Sequence, residues 1–154
     1  MKKILLLLSF IFTITSSAQY AIVSAVDLRE GTENDYLQTE KFWGPLHKKA
    51  IEDGVQTQQA VWKVIQTNDQ RDNPADYFII TSFASKEQLA NYSSADYVAY
   101  AQEVYKGKMS RRAISRMFEA SPNSSNERRN YHIEGVSWTI LAGGDLEPGD
   151  RMSI

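Results

Sequence analysis

The residue best equipped for chemistry is His47, one of 2 histidines in a chain that contains no cysteine. A neutral imidazole can take up a proton or ligate a metal near neutral pH. Helical spacing puts His47 on one face with Trp43, four residues back, and Glu40, seven back. An imidazole between an aromatic wall and a carboxylate suits a general base or a metal or haem ligand. The same side chain has a structural use, closing an apolar stripe or bonding the carbonyl freed by Pro45. His132 and Glu134 stand two apart on a predicted strand and therefore point to one face. With His47 they would make a two-histidine, one-carboxylate metal site. Nothing in the spacing brings His47 to them, so no metal and no cofactor is assigned. The aromatic set Trp43, Trp62, Tyr77, Phe83, Tyr97 and Trp138 fits either an apolar ligand pocket or plain core. A glycine-rich phosphate loop, a G-x-S-x-G elbow and an H-E-x-x-H pair are all absent from the sequence, and cysteine nucleophiles are excluded outright.

The surrounding pattern supplies elements to hold these side chains. Tyr20, Ile22, Val26 and Leu28 alternate along residues 20–28, as in a half-buried strand. Gly31 ends it. Thr32 with Asp35 resembles a capping box with a shortened acid, opening a helix that runs to about Asp53 and stops at Gly54. Tyr36, Trp43, Leu46, His47, Ala50 and Ile51 share its apolar face. Pro45 removes a donor and crowds the carbonyl of Lys41, which predicts a kink or two helical pieces. A second strand covers Gln58 to Gln66, with Ala60, Trp62 and Val64 on one face and Val61 and Ile65 on the other. Residues 67–75 are a polar loop, and Asp76 to Ala84 is a third strand, antiparallel to the second. Ser85 with Gln88 caps a second helical region that breaks at Ser93-Ser94. Ala95 to Ala120 then reads as a long helix with a register change at Gly107. Arg129 to Leu141 reads as a fourth strand, and residues 142–154 as a turn-rich tail.

The order β-α-β-β-α-β predicts an α+β, ferredoxin-like domain, an antiparallel sheet with helices on one face. Strands one and three carry apolar residues on both faces, yet helices can cover only one. Pairing of two sheets about a two-fold axis would cover the other, so a homodimer is expected.

The first 18 residues have the parts of an export signal: Lys2 and Lys3, an apolar run from Ile4 to Ile14, and small residues at Ser16 and Ala18. The run is short for a permanent membrane anchor. Cleavage near Ala18 predicts a periplasmic or secreted protein, free of the membrane afterwards, whose domain spans residues 19–141. Gln19 stands where a lipoprotein would need cysteine. Removing the two lysines leaves 15 basic against 19 acidic side chains, a formal charge of −4. That balance opposes nucleic-acid binding. Lys106, Lys108, Arg111, Arg112 and Arg116 cluster, but with Glu103 and Glu119 nearby they read as a solvated helix face.

Glu40-Lys41-Phe42-Trp43-Gly44-Pro45-Leu46-His47, followed by Gly54 and the strand residue Trp62, resembles the dimeric α/β-barrel proteins, which include NIPSNAP-type domains and antibiotic-biosynthesis monooxygenases. More narrowly, the chain is similar to exported proteins in which a helix of form E-K-x-x-x-P-x-H precedes a tryptophan-bearing strand. The resemblance covers roughly residues 20 to 140. It implies the fold and the dimer but no activity, since this fold hosts oxygenases, haem enzymes, isomerases and ligand binders. Haem-degrading members rely on an Asn, Trp and His set. Trp62 and His47 are present here, but Ser24 stands where the asparagine would be wanted. Three functions remain open. The first is a module binding a small apolar or aromatic ligand through Glu40, Trp43, Trp62, Tyr77 and Trp138. The second is a cofactor-independent monooxygenase with His47 as base. The third is an envelope interaction module without a small ligand. The first two predict a pocket beside His47 and Trp62.

Overall fold

The computed structural model describes residues 20–65, 75–121 and 123–136. The export signal, Trp138 and the 142–154 tail lie outside the described residues. Strands β1 (Tyr20–Leu28), β2 (Gln58–Lys63), β3 (Tyr77–Phe83) and β4 (Ser125–Glu134) form one sheet in the order β2-β3-β1-β4. All neighbouring strands are antiparallel. β1 and β2 therefore run parallel with β3 inserted between them, the split β-α-β arrangement of the ferredoxin-like fold. The helical side comprises α1 (Glu33–Glu52), α2 (Lys86–Asn91), a 3₁₀ turn (Tyr92–Ser94), α3 (Tyr97–Val104) and α4 (Arg111–Ala120). Among the described residues no helix is long and apolar enough to cross a membrane.

The strand registers fix which side chains share a face. Val26 pairs with Tyr77, and Ser24 with Ile79. Val26, Tyr77 and Ile79 pack against Tyr36 of α1, with Leu28 alongside. The Tyr36 and Tyr77 rings lie 4.6 Å apart. Lys63 and the Tyr77 hydroxyl both donate to Glu33 Oε1 at 2.6 Å, tying the start of α1 to β2 and β3. A second core joins helix to helix: Phe42 and Leu46 of α1 meet Ala101 of α3 and Ile114 of α4.

Several local expectations shift for physical reasons. α1 is continuous over 20 residues despite Pro45. Pro45 lies on the exposed side, where water can satisfy the carbonyl it frees. The buried stripe is Tyr36, Thr39, Phe42, Leu46 and Ala50, whereas Ile51 is exposed. Thr32 makes no side-chain cap for α1: its hydroxyl oxygen lies 2.8 Å from the Arg29 carbonyl and 2.7 Å from that of Ser124, which share its one proton. The expected long helix is two helices. α3 ends at Val104, Gly107 takes φ 74, and Ser110 Oγ accepts from Ala113 N at 3.2 Å to start α4. β4 begins at Ser125, ahead of the expected Arg129, beside a register shift at Asp27/Leu28.

The helices occupy the face that carries Val26, Tyr77 and Ile79. The opposite face holds Ala21, Val23 and Ala25 of β1, Ala60 and Trp62 of β2, Phe78 and Ile80 of β3, and Tyr131 and Ile133 of β4. Its centre is apolar, with Asp27, Glu127 and Arg129 toward one end and Gln58 and Ser82 toward the other, and Tyr131 and Ile133 remain 49% and 48% exposed.

Candidate functional site

α1 carries His47 toward the connection between its own end and β2. The chain turns at Gly54, with φ 73, and the Gln56 side chain that follows reaches His47 of α1. His47 Nδ1 lies 3.3 Å from Gln56 Oε1, and the Tyr97 hydroxyl donates to the same oxygen at 3.1 Å while lying 3.4 Å from Nδ1. Gln56 Oε1 can only accept, so the pairing calls for the Nδ1–H tautomer. Nε2 then keeps its lone pair. Burial pulls His47 below the ordinary imidazole range, with the Gln56 hydrogen bond opposing. Its ring is thus neutral at pH 7. Burial first, then the Tyr92 hydroxyl beside it, pushes Tyr97 far up, so that phenol keeps its proton.

Gln56 is the least expected member of this group. It is 1% exposed, and its Nε2 is buried without a hydrogen-bond partner among the described residues. Turning the amide over would give Nδ1 a donor but leave Oε1 alone instead. One atom of the amide stays unpartnered either way, at a cost of about 1–3 kcal/mol. Around this polar floor stand half-buried rings. Trp43 lies 5.8 Å from His47 and 5.6 Å from Tyr97, and its Nε1 donates to Ser121 Oγ at 3.0 Å. Tyr92 bridges from Tyr97 to Phe83 on the sheet, at 6.2 and 5.2 Å. Phe118 closes on Trp43 from α4 at 5.1 Å.

The structure brings together only part of the expected set. Trp43 and His47 are adjacent. Glu40 shares their helix, but its neighbours are Tyr36 and Arg128, while His47 bonds Gln56 and Tyr97. Burial raises Glu40 above the usual carboxylate range, opposed by Tyr36 and Arg128. The Tyr36 hydroxyl is itself buried without a partner of good geometry. Tyr77 is core and holds Glu33. Trp62 pairs with Phe78 on the bare face, whereas its neighbour Lys63 reaches α1. The sheet therefore separates Trp62 from His47, and the expected pocket shared by the two does not form. Two hollows of about 420 and 270 Å³ flank the ends of α1, and neither is lined by His47 or Trp62. His132 and Glu134 do share a face, where Glu134 accepts from the Tyr20 hydroxyl at 3.2 Å. Among the described residues no three His, Asp or Glu side chains gather to hold a metal. Ser24 donates to Asn130 Oδ1 at 2.7 Å across β1 and β4, so an asparagine does stand beside it, from the neighbouring strand. Gln56 escapes sequence reasoning because a lone glutamine in a short connection, two residues past the Gly54 helix stop, has no motif.

No protein-family model and no curated protein matches this sequence. Solved structures do share its shape. A hypothetical protein of Arabidopsis thaliana superposes with a TM-score of 0.51 at 11% identity, over 80% of this chain and 94% of that one. A dimeric ferredoxin-like protein from an uncultured marine organism gives 0.52 at 14% identity, over 82% and 96%. At such identities the likeness is one of fold, and it agrees with the strand order: the chain is an α+β protein of ferredoxin-like architecture.

Proposed function

We propose that the protein is an exported, homodimeric binding module that takes a small aromatic ligand at His47, Trp43, Tyr97 and Gln56; neither hollow reaches this group, so the rings over Gln56 must part to admit the ligand. The observation that carries this reading is the buried Gln56 amide with an atom left unpartnered beneath three half-buried rings. A polar group placed in so apolar a setting costs stability unless something bonds it. A flat ligand with an acceptor oxygen would stack on the rings and accept from Gln56 Nε2. Small-molecule sites commonly combine apolar walls with a few placed polar groups. The bare sheet face supports the dimer, and the marine ferredoxin-like protein is itself described as dimeric. The lysine-led apolar N-terminus supports export.

Acetophenone and ethylbenzene make a direct test, since they have similar shape and only the ketone offers an acceptor. Calorimetry should find acetophenone binding about tenfold tighter, the worth of one hydrogen bond. In Gln56→Leu that difference should vanish. Failure of both probes to bind, or a preference that survives the substitution, overturns the site.

A second reading, a cofactor-independent oxygenase, is favoured by the neutral His47 ring, which bonds through Nδ1 among the described residues. It requires turnover of an aromatic substrate with dioxygen as co-reactant. His47→Ala would then abolish turnover while largely keeping affinity.

A further inference from the structure

Residues 104–118 carry Lys106, Lys108, Arg111, Arg112 and Arg116 and no carboxylate. We propose that the turn between α3 and α4, together with the outer face of α4, is a docking surface for a polyanionic glycan, a chain of sugars bearing carboxylate or sulfate groups.

The turn is held in place by Tyr105. Its ring stacks on Phe42 of α1 at 5.2 Å, and its hydroxyl donates to the Phe42 carbonyl at 2.8 Å. The Tyr105 carbonyl accepts from Lys108 N at 2.9 Å and from Met109 N at 3.0 Å, which fixes the backbone that carries the two lysines. In α4, Ile114 is buried in the helical core, and Met117 and Phe118 pack against the same cluster. That orientation turns Arg111, Arg112 and Arg116 outward, and all five cations are exposed. Arg112 and Arg116 stand one helical turn apart, about 6 Å along the axis.

The protomer does not balance this charge. The flanking Glu103 lies 3.9 Å from Lys49, and among the described residues none of the five cations forms an ion pair. Arg111 and Arg112 also stand in the first turn of α4, which holds no acidic residue, where the positive end of the helix dipole disfavours cations. Charge placed against a local rule of folding, with no partner in the chain, points to a partner outside it. The class of partner follows from what the patch lacks. Among the described residues, no large apolar side chain between 104 and 118 is exposed. A bilayer surface draws on inserted apolar groups as well as charge, and a protein interface on an apolar centre. A single-stranded nucleic acid needs rings on which its bases stack, and the net charge of −2 opposes a long duplex. A hydrated glycan needs only charge and hydrogen-bond donors, which each arginine presents as a planar fork to an oxyanion.

Titrating ¹⁵N-labelled protein at low salt with a heparin hexasaccharide, and separately with an oligogalacturonate, tests this. Saturable amide shifts centred on residues 106–116 are expected with at least one of them, and the affinity should fall as salt rises. Arg112→Gln combined with Arg116→Gln changes two exposed side chains and should weaken binding about tenfold. Lys48→Gln combined with Lys86→Gln removes the same charge from exposed positions on α1 and α2 and should leave binding nearly unchanged. Absence of saturable shifts with both oligosaccharides, shifts centred elsewhere, or equal weakening by the two double variants overturns the proposal. So does tighter binding of duplex DNA, or of phosphatidylglycerol vesicles, at the same residues.

Discussion

Burial holds His47 neutral, and a group held in one protonation state by its surroundings leaves a mark on stability. In the unfolded chain an imidazole takes a proton near pH 6.5. In the folded chain His47 does so only at lower pH, because burial disfavours the cation. Between those two points the unfolded state holds more protons, so stability falls as pH drops through that window and levels off below it. His47→Asn removes this dependence, so the stability of wild type relative to the variant should decline as pH falls below about 6.5. Denaturant titrations at several pH values measure it, and parallel curves would show that His47 is not buried as described. Glu40 carries the opposite sign. Its folded pKa is raised by burial, so the folded state holds the extra proton above the unfolded value and loses stability as pH rises through the folded one. Glu40→Gln should therefore raise the melting temperature at pH 7, with the gain shrinking as pH falls toward 4. A lower melting temperature at pH 7 would mean that Arg128 outweighs the burial of Glu40.

At the scale of elements, the decisive features are where helices stop and start. Gly107 sits at φ 74, in the left-handed region where a side chain is strained, and the space around it is open. Gly107→Ala should cost about 1–2 kcal/mol through backbone strain alone. Ser110→Ala removes the cap of α4 and should cost about 1 kcal/mol. The two act on opposite sides of one turn, and denaturant midpoints read both; no loss in either would mean that α3 and α4 run on as one helix in solution. Glycines and caps of this kind are legible in a sequence because their cause is local. Gly54 and the Ser85–Gln88 pair were readable for that reason, as was the period-two pattern of β1. Phe42 was not. It lies one residue from Trp43, and which neighbour faces the helical partner depends on where α3 and α4 settle. The Trp62–His47 separation was equally hidden, because alternation assigns faces only relative to one another. Lys63 reaching Glu33 is what fixes Trp62 on the far side. β4 began earlier than its apolar residues suggest, since Asn126 to Asn130 are polar and are ordered by pairing with β1.

For the whole molecule the question is what covers the second face of the sheet. Small alanines occupy its centre on β1, and Trp62, Phe78, Ile80, Tyr131 and Ile133 surround them. Asp27, Glu127 and Arg129 share that face at one end, where Glu127 lies 3.6 Å from Arg129 Nε. An apolar centre with a charged margin has the anatomy of a protein–protein interface. A stable dimer buries about 1,200–2,000 Å² in total, an area that a four-stranded sheet face and its copy can supply. Sedimentation equilibrium should therefore give twice the protomer mass at micromolar concentration. Ile133→Asp is the sharpest probe. The side chain is already 48% exposed in the protomer, so a carboxylate there costs the isolated fold little. Buried against a second sheet, the same carboxylate would lose its hydration without a partner and cost several kcal/mol. The variant should sediment as a monomer with an unchanged circular dichroism spectrum. A wild-type monomer would sink the dimer, and a variant that stays dimeric would move the interface off this face, since no sheet-to-sheet packing could shelter that charge.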